Sequence, residues 1–158
     1  MCGFGAYDFD QDRFTKTEPK PQKMVGDYLP TKGTMTFIRE TGRYDVQDIS
    51  ISLFSDGTFK MQNMPDWWMT TGPQFGKSNG GADSGNGTWS IAKTGNWWWQ
   101  INFKFEPGNF KAREDLSDGF LTTKDISGEK PPYSLWFYVG DPDTGNVMIF
   151  EQVLGKIP

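Results

Sequence analysis

The stretch Thr94–Phe105, T-G-N-W-W-W-Q-I-N-F-K-F, constrains this chain more than any other. Trp97, Trp99, Ile101, Phe103 and Phe105 occupy alternate positions, and Trp98, Gln100, Asn102 and Lys104 occupy the rest. A strand sends successive side chains to opposite faces, so the run has one large apolar face and one mostly polar face. A helix would scatter the same rings around its circumference. The reading is a strand in which Trp97, Trp99 and Phe103 build the core while Trp98 faces the other way.

The remaining sequence repeats this logic in short pieces. The folded body begins at Val25–Tyr28, and Thr34–Ile38 reads as a strand. Residues 47–54 place Ile49, Ile51 and Leu53 on one face. Ser55-Asp56-Gly57 is a tight-turn signal, with 58–61 returning as the partner. Strand-like pieces follow at 87–92 and 120–123. In 133–139, Tyr133, Leu135, Phe137 and Val139 oppose Ser134, Trp136 and Tyr138, and 147–153 closes the series. Aromatic residues make up 16% of the sequence, and 19 glycines and 10 prolines punctuate it. Rings in short runs between turn formers make an all-β composition, and no helix is required. The expected fold is an antiparallel up-and-down barrel of about eight to ten strands, closed to hide its edges.

With 158 residues the chain is one domain's worth. Residues 1–24 are polar and proline-bearing and read as a flexible N-terminal tether, leaving 25–158 as the barrel domain. Residues 70–86, rich in glycine and asparagine, read as a long loop. They are not a phosphate loop, because position 71 is threonine where G-x-x-x-x-G-K-[ST] needs glycine.

Composition removes whole classes of function. The formal net charge is -4 and no basic face is visible, which argues against nucleic acid. There is no histidine, so Ser-His-Asp, Cys-His and histidine-zinc chemistry are excluded. Asp141-Pro142-Asp143-Thr144-Gly145 opens like a calcium loop, but Gly145 and Gln152 stand where further ligands belong, so it reads as a hairpin turn. Asp8, Asp10 and Asp12 alternate without the glycine and the acid that such a loop needs, so they read as solvated tether. Glu151 shares alternate positions with Val147, Ile149 and Val153, which would place a carboxylate on an apolar face. No second acid pairs with it as glycoside hydrolysis requires. The expectation is a protein that is not an enzyme and has no cofactor and no metal.

V-G-D-Y (25–28), L-F-S-D-G-T-F (53–59), G-T-W-S-I (87–91), Y-S-L-W-F (133–137) and D-P-D-T-G with F-E-Q-V (141–153) together resemble the lipocalin-like (calycin) β-barrel domains of bacterial envelope lipoproteins. Lipocalins proper carry G-x-W on the first strand. Here Gly87-Thr88-Trp89 lies in the middle of the sequence, so no ligand residue transfers by position. The resemblance implies a non-enzymatic barrel that binds a small hydrophobic molecule or serves as a scaffold for an envelope partner. Cys2, followed by a small residue and a polar stretch, fits the lipid anchor of such a lipoprotein. That implies the periplasm or cell surface, with membrane contact only through Cys2, against the alternative of an ordinary cytoplasmic start.

Several large rings fall outside the simplest core: Trp67, Trp68, Trp98, Trp136 and Tyr138, with Trp97 beside an open barrel mouth. They are the candidate ligand-binding residues. A carbohydrate-binding β-sandwich with a tryptophan platform and an immunity-type protein-interaction domain are the alternatives to the hydrophobic-ligand barrel.

Overall fold

The structure, a computed structural model, describes residues 13–41, 48–65, 82–108, 119–139 and 147–154. Eight strands form a closed barrel in sequence order: β1 (Gly26–Pro30), β2 (Ser50–Leu53), β3 (Thr58–Pro65), β4 (Ala82–Thr94), β5 (Trp98–Phe105), β6 (Phe120–Ser127), β7 (Ser134–Tyr138) and β8 (Val147–Gln152). Every pair is antiparallel, and β8 returns to β1 through Tyr28↔Gln152. Closure leaves the sheet without an edge.

Alternation decides what lies inside. Tyr28, Ile51, Phe59, Met61, Ile101, Phe103, Phe105, Leu135, Phe137, Met148 and Phe150 all face inward and are fully buried. Their rings meet edge to face: Phe59 lies 4.9 Å from both Phe103 and Phe105, and Phe137 lies 5.4 Å from Phe150. An eight-stranded barrel is only wide enough to be filled by side chains or to hold one small ligand. Side chains without accessible surface line no water-sized void, so this part of the lumen is packed.

Two helices close the ends. Thr34–Ile38, read from sequence as a strand, lies within α2 (Lys32–Thr41), with α1 (Pro21–Met24) at the opposite end. The T-M-T-F-I run satisfies a period of two, but Thr34, Met35 and Ile38 also share one helical face, and that face meets the core. Thr31 caps the helix: its hydroxyl accepts the Thr34 N–H at 3.2 Å. The Thr34 hydroxyl in turn accepts the Ile149 N–H at 2.8 Å, pinning α2 to β8.

The described part of the expected tether, residues 13–24, packs on the barrel. Beyond Gln100↔Asp125 the strands β5 and β6 part, and Thr15 fills the gap. Its N–H donates to the Ile126 carbonyl and its own carbonyl accepts from the Trp99 N–H, at 2.9 and 2.8 Å. The Glu129 carboxylate accepts the Lys16 and Thr17 amides at 2.8 and 3.1 Å. From this seam the segment runs along the same end of the barrel to β1, where Met24 enters the core. Gln152 holds it there: Nε2 donates to the Lys23 and Val25 carbonyls, and Oε1 accepts the Tyr133 N–H.

Three further expectations are corrected. Trp97 is not core. The Thr94↔Trp98 pair leaves Gly95, Asn96 and Trp97 as the hairpin loop, and the Trp97 ring is 57% exposed. Glu151 is exposed, because β8 turns Met148, Phe150 and Gln152 inward instead. Residues 82–86 belong to β4 rather than to a loop. Trp89, the last residue of the Gly87-Thr88-Trp89 motif, sits at the margin of the core, its indole N–H donating to the Phe54 carbonyl at 3.1 Å.

Candidate functional site

Three of the rings singled out from sequence converge on the outside of the barrel where β5, β6 and β7 meet. Trp98, Trp136 and Tyr138 are all half-buried there. Register explains this: Gln100 pairs with Asp125, and Asp125 pairs with Trp136, so all three point outward in one row. Asp125 is the hub. Its Oδ1 accepts the Trp98 indole N–H and the Gln100 amide N–H, each at 2.8 Å. It also accepts from the Tyr138 hydroxyl. Burial first, then the Asp125 charge and this hydrogen bond, push the Tyr138 phenol well above its ordinary value. The Trp136 indole N–H donates to the Ser127 hydroxyl at 2.9 Å.

Phe14 covers this cluster. Its ring lies 5.1 Å from Trp98 and 5.4 Å from Trp136, with the Arg13 guanidinium 5.2 Å from the Trp136 ring centre. Phe14 thus covers part of both indoles, and the two are not coplanar. Trp97, on its loop, meets Trp98 edge to face, the ring centroids 6.3 Å apart. Trp67, Trp68 and Cys2 lie outside the described residues, as do Asp141–Gly145 and Asp8–Asp12.

Directly behind Asp125, on the inner face, lies the residue that sequence reading missed. Lys124 faces Ile101 across β5 and points into the barrel, its amine 5.4 Å from the centre of the Phe137 ring. Burial lowers its pKa to about 8, partly offset by the Asp125 charge. A signal was present: Phe120, Thr122, Lys124 and Ile126 alternate, which puts one ammonium on an otherwise apolar or neutral face.

The ladder beside this amine is short. The β6–β7 ladder comprises only Asp125↔Trp136, Ile126↔Leu135 and Ser127↔Ser134. Continuing that register would pair Lys124 with Phe137 and Thr122 with Val139, and no such pairing occurs. The two strands separate below Asp125, although β7 still pairs with β8 as far as Tyr138↔Val147. Along this seam the inner face retains accessible surface: Phe120, Thr122 and Lys124 are only partly buried, while Ile101, Phe103 and Phe137 are fully buried. The geometry is an early end to the β6–β7 ladder, with one amine on the inner face beside the Phe137 ring and an aromatic cluster on the outer face.

Among the described residues no three His, Cys, Asp or Glu side chains come together as a metal site. Among the same residues no helix is long and apolar enough to cross a membrane. Comparison with protein-family models, curated proteins and solved structures finds no match to this sequence or fold.

Proposed function

We propose that this protein is a non-catalytic, lipocalin-like binding barrel that takes a small amphiphilic molecule through the β6–β7 seam. The observation that carries this reading is the early end of the β6–β7 ladder beside Lys124. An apolar ligand segment would lie against Phe120 and Thr122, the inward side chains that keep accessible surface, and an anionic head would meet the ammonium beside them. Apolar walls with one convergent charged group are the usual composition of a small-molecule site. The packed rings of the central lumen confine such a ligand to the β6 side. In this reading the lipocalin resemblance concerns architecture, and Cys2 anchors the barrel to the envelope on the periplasmic or outer face.

Titration with decanoic acid, read by tryptophan quenching and native mass spectrometry, tests it, with decanol as the uncharged control. The acid binds more tightly than the alcohol, Lys124→Met abolishes the difference, and binding weakens as pH rises through 8. Equal, weak binding of both by the parent protein ends the proposal.

A further inference from the structure

On the far wall of the barrel, β3 and β4 carry a groove of about 610 Å³. This falls within the ~300–1,000 Å³ typical of small-molecule sites. Gly85 and Gly87 face inward on β4 and contribute only backbone to its floor. At Gly87 the strands press together: a Cβ would lie 1.9 Å from the Lys104 carbonyl oxygen. Above this floor Phe54, from the β2–β3 turn, stands 45% exposed at one end. The outward side chains Thr58, Lys60, Asn86 and Thr88 form the walls, and Glu106 lies opposite Asn86.

We propose that this groove is a second binding site, for a neutral oligosaccharide. Thr58, Ser84 and Thr88 bring hydroxyls to it, Asn86 an amide and Phe54 one exposed ring, while Phe59 and Met61 add apolar lining. An aromatic face offers stacking to the C–H face of a sugar, and short polar side chains match its many hydroxyls. Lys60 and Glu106 are the charged side chains of the lining and offset each other, so the groove favours neither a phosphate nor a cation. The site is independent of the β6–β7 seam and stands or falls separately from it.

The test is a titration of isotope-labelled full-length protein with maltotriose, cellotriose and triacetylchitotriose, followed by amide NMR. At least one trisaccharide shifts the Gly85, Asn86, Gly87 and Thr88 amides at millimolar concentration. Phe54→Ala then weakens that binding about tenfold, as loss of one stacking contact implies. Asn86→Ala, which leaves the ring in place, weakens it as well. No groove shifts with any of the three sugars overturns the proposal. So does binding unchanged in both variants, or groove shifts produced by an extended peptide and not by sugar.

Discussion

The indole N–H of Trp98 and the carboxylate of Asp125, 2.8 Å apart, tie β5 to β6 on the outside of the barrel at the level where the two strands begin to part. The same oxygen serves Gln100, and the group also receives the Tyr138 hydroxyl. One acceptor therefore holds three strands together where the β6–β7 ladder ends. Hydrogen bonds to a charged group each contribute about 1.5–3 kcal/mol, and removing a shared acceptor strands its donors. Asp125→Ala is expected to cost roughly 2–4 kcal/mol, read by urea denaturation. A loss below about 1 kcal/mol would mean that water replaces the carboxylate at no penalty.

Phe14 gives the N-terminal segment its grip on the barrel. Truncating the ring removes contacts with Trp98 and Trp136 and opens both indoles to water. Phe14→Ala is expected to red-shift tryptophan emission. It should also speed hydrogen exchange at the Thr15, Lys16 and Thr17 amides, whose partners are Ile126 and Glu129. The β2–β3 amides serve as an internal reference and should keep their protection. Uniform loss of protection across the barrel would instead make the segment part of the global fold.

Gly87 occupies a position that tolerates no Cβ. One placed there meets the Lys104 carbonyl oxygen at 1.9 Å and the Lys104 carbonyl carbon at 2.8 Å, both backbone atoms within a paired ladder. Gly87→Ala should destabilise by more than ~3 kcal/mol or abolish folding. Thermal melting followed by circular dichroism decides this. Gly33→Ala is the control, because its added methyl meets nothing within 4 Å. It falls within helix α2, where alanine is favoured by ~1 kcal/mol.

Lys124 makes stability depend on pH in a definite direction. Burial places its folded pKa at about 8, below the ordinary lysine value, so the unfolded state binds the proton more tightly. Below pH 8 the ammonium is present in both states and its desolvation opposes folding in full. Between about pH 8 and 10.5 the folded amine is neutral while the unfolded one is still charged, and stability rises with pH. The penalty at neutral pH is up to ~3 kcal/mol. Lys124→Met should therefore stabilise at pH 7, with the advantage fading towards pH 10.5. Parallel urea titrations of parent and variant check it. A gain independent of pH would assign the effect to packing.

Much of the barrel could be read from residue order because alternation and turn chemistry are local. Ile49, Ile51 and Leu53 show a period of two without knowledge of any partner, as do Leu135, Phe137 and Val139, and the structure buries all six. Ser55-Asp56-Gly57 marks the β2–β3 turn for the same reason, and Gly57 there takes the left-handed φ of 88°. The antiparallel up-and-down barrel follows from such pieces, since strands this apolar need closure.

What residue order left open depends on register and on contacts between distant segments. Trp97 carries the same alternation as Trp99, and only the Thr94↔Trp98 pairing shows that it falls in the loop. In β8 the run V-M-I-F-E-Q is apolar at four successive positions, so either face was admissible. Contacts of Gln152 with Lys23, Val25 and Tyr133 accompany the face that turns inward. The helix at Lys32–Thr41 and the docking of Phe14 likewise rest on partners more than a hundred residues away in the case of Ile149 and Ile126. The early end of the β6–β7 ladder beside Lys124 is of the same kind. A ladder that could continue stops at Asp125↔Trp136, and a ladder's length is a property of two strands together.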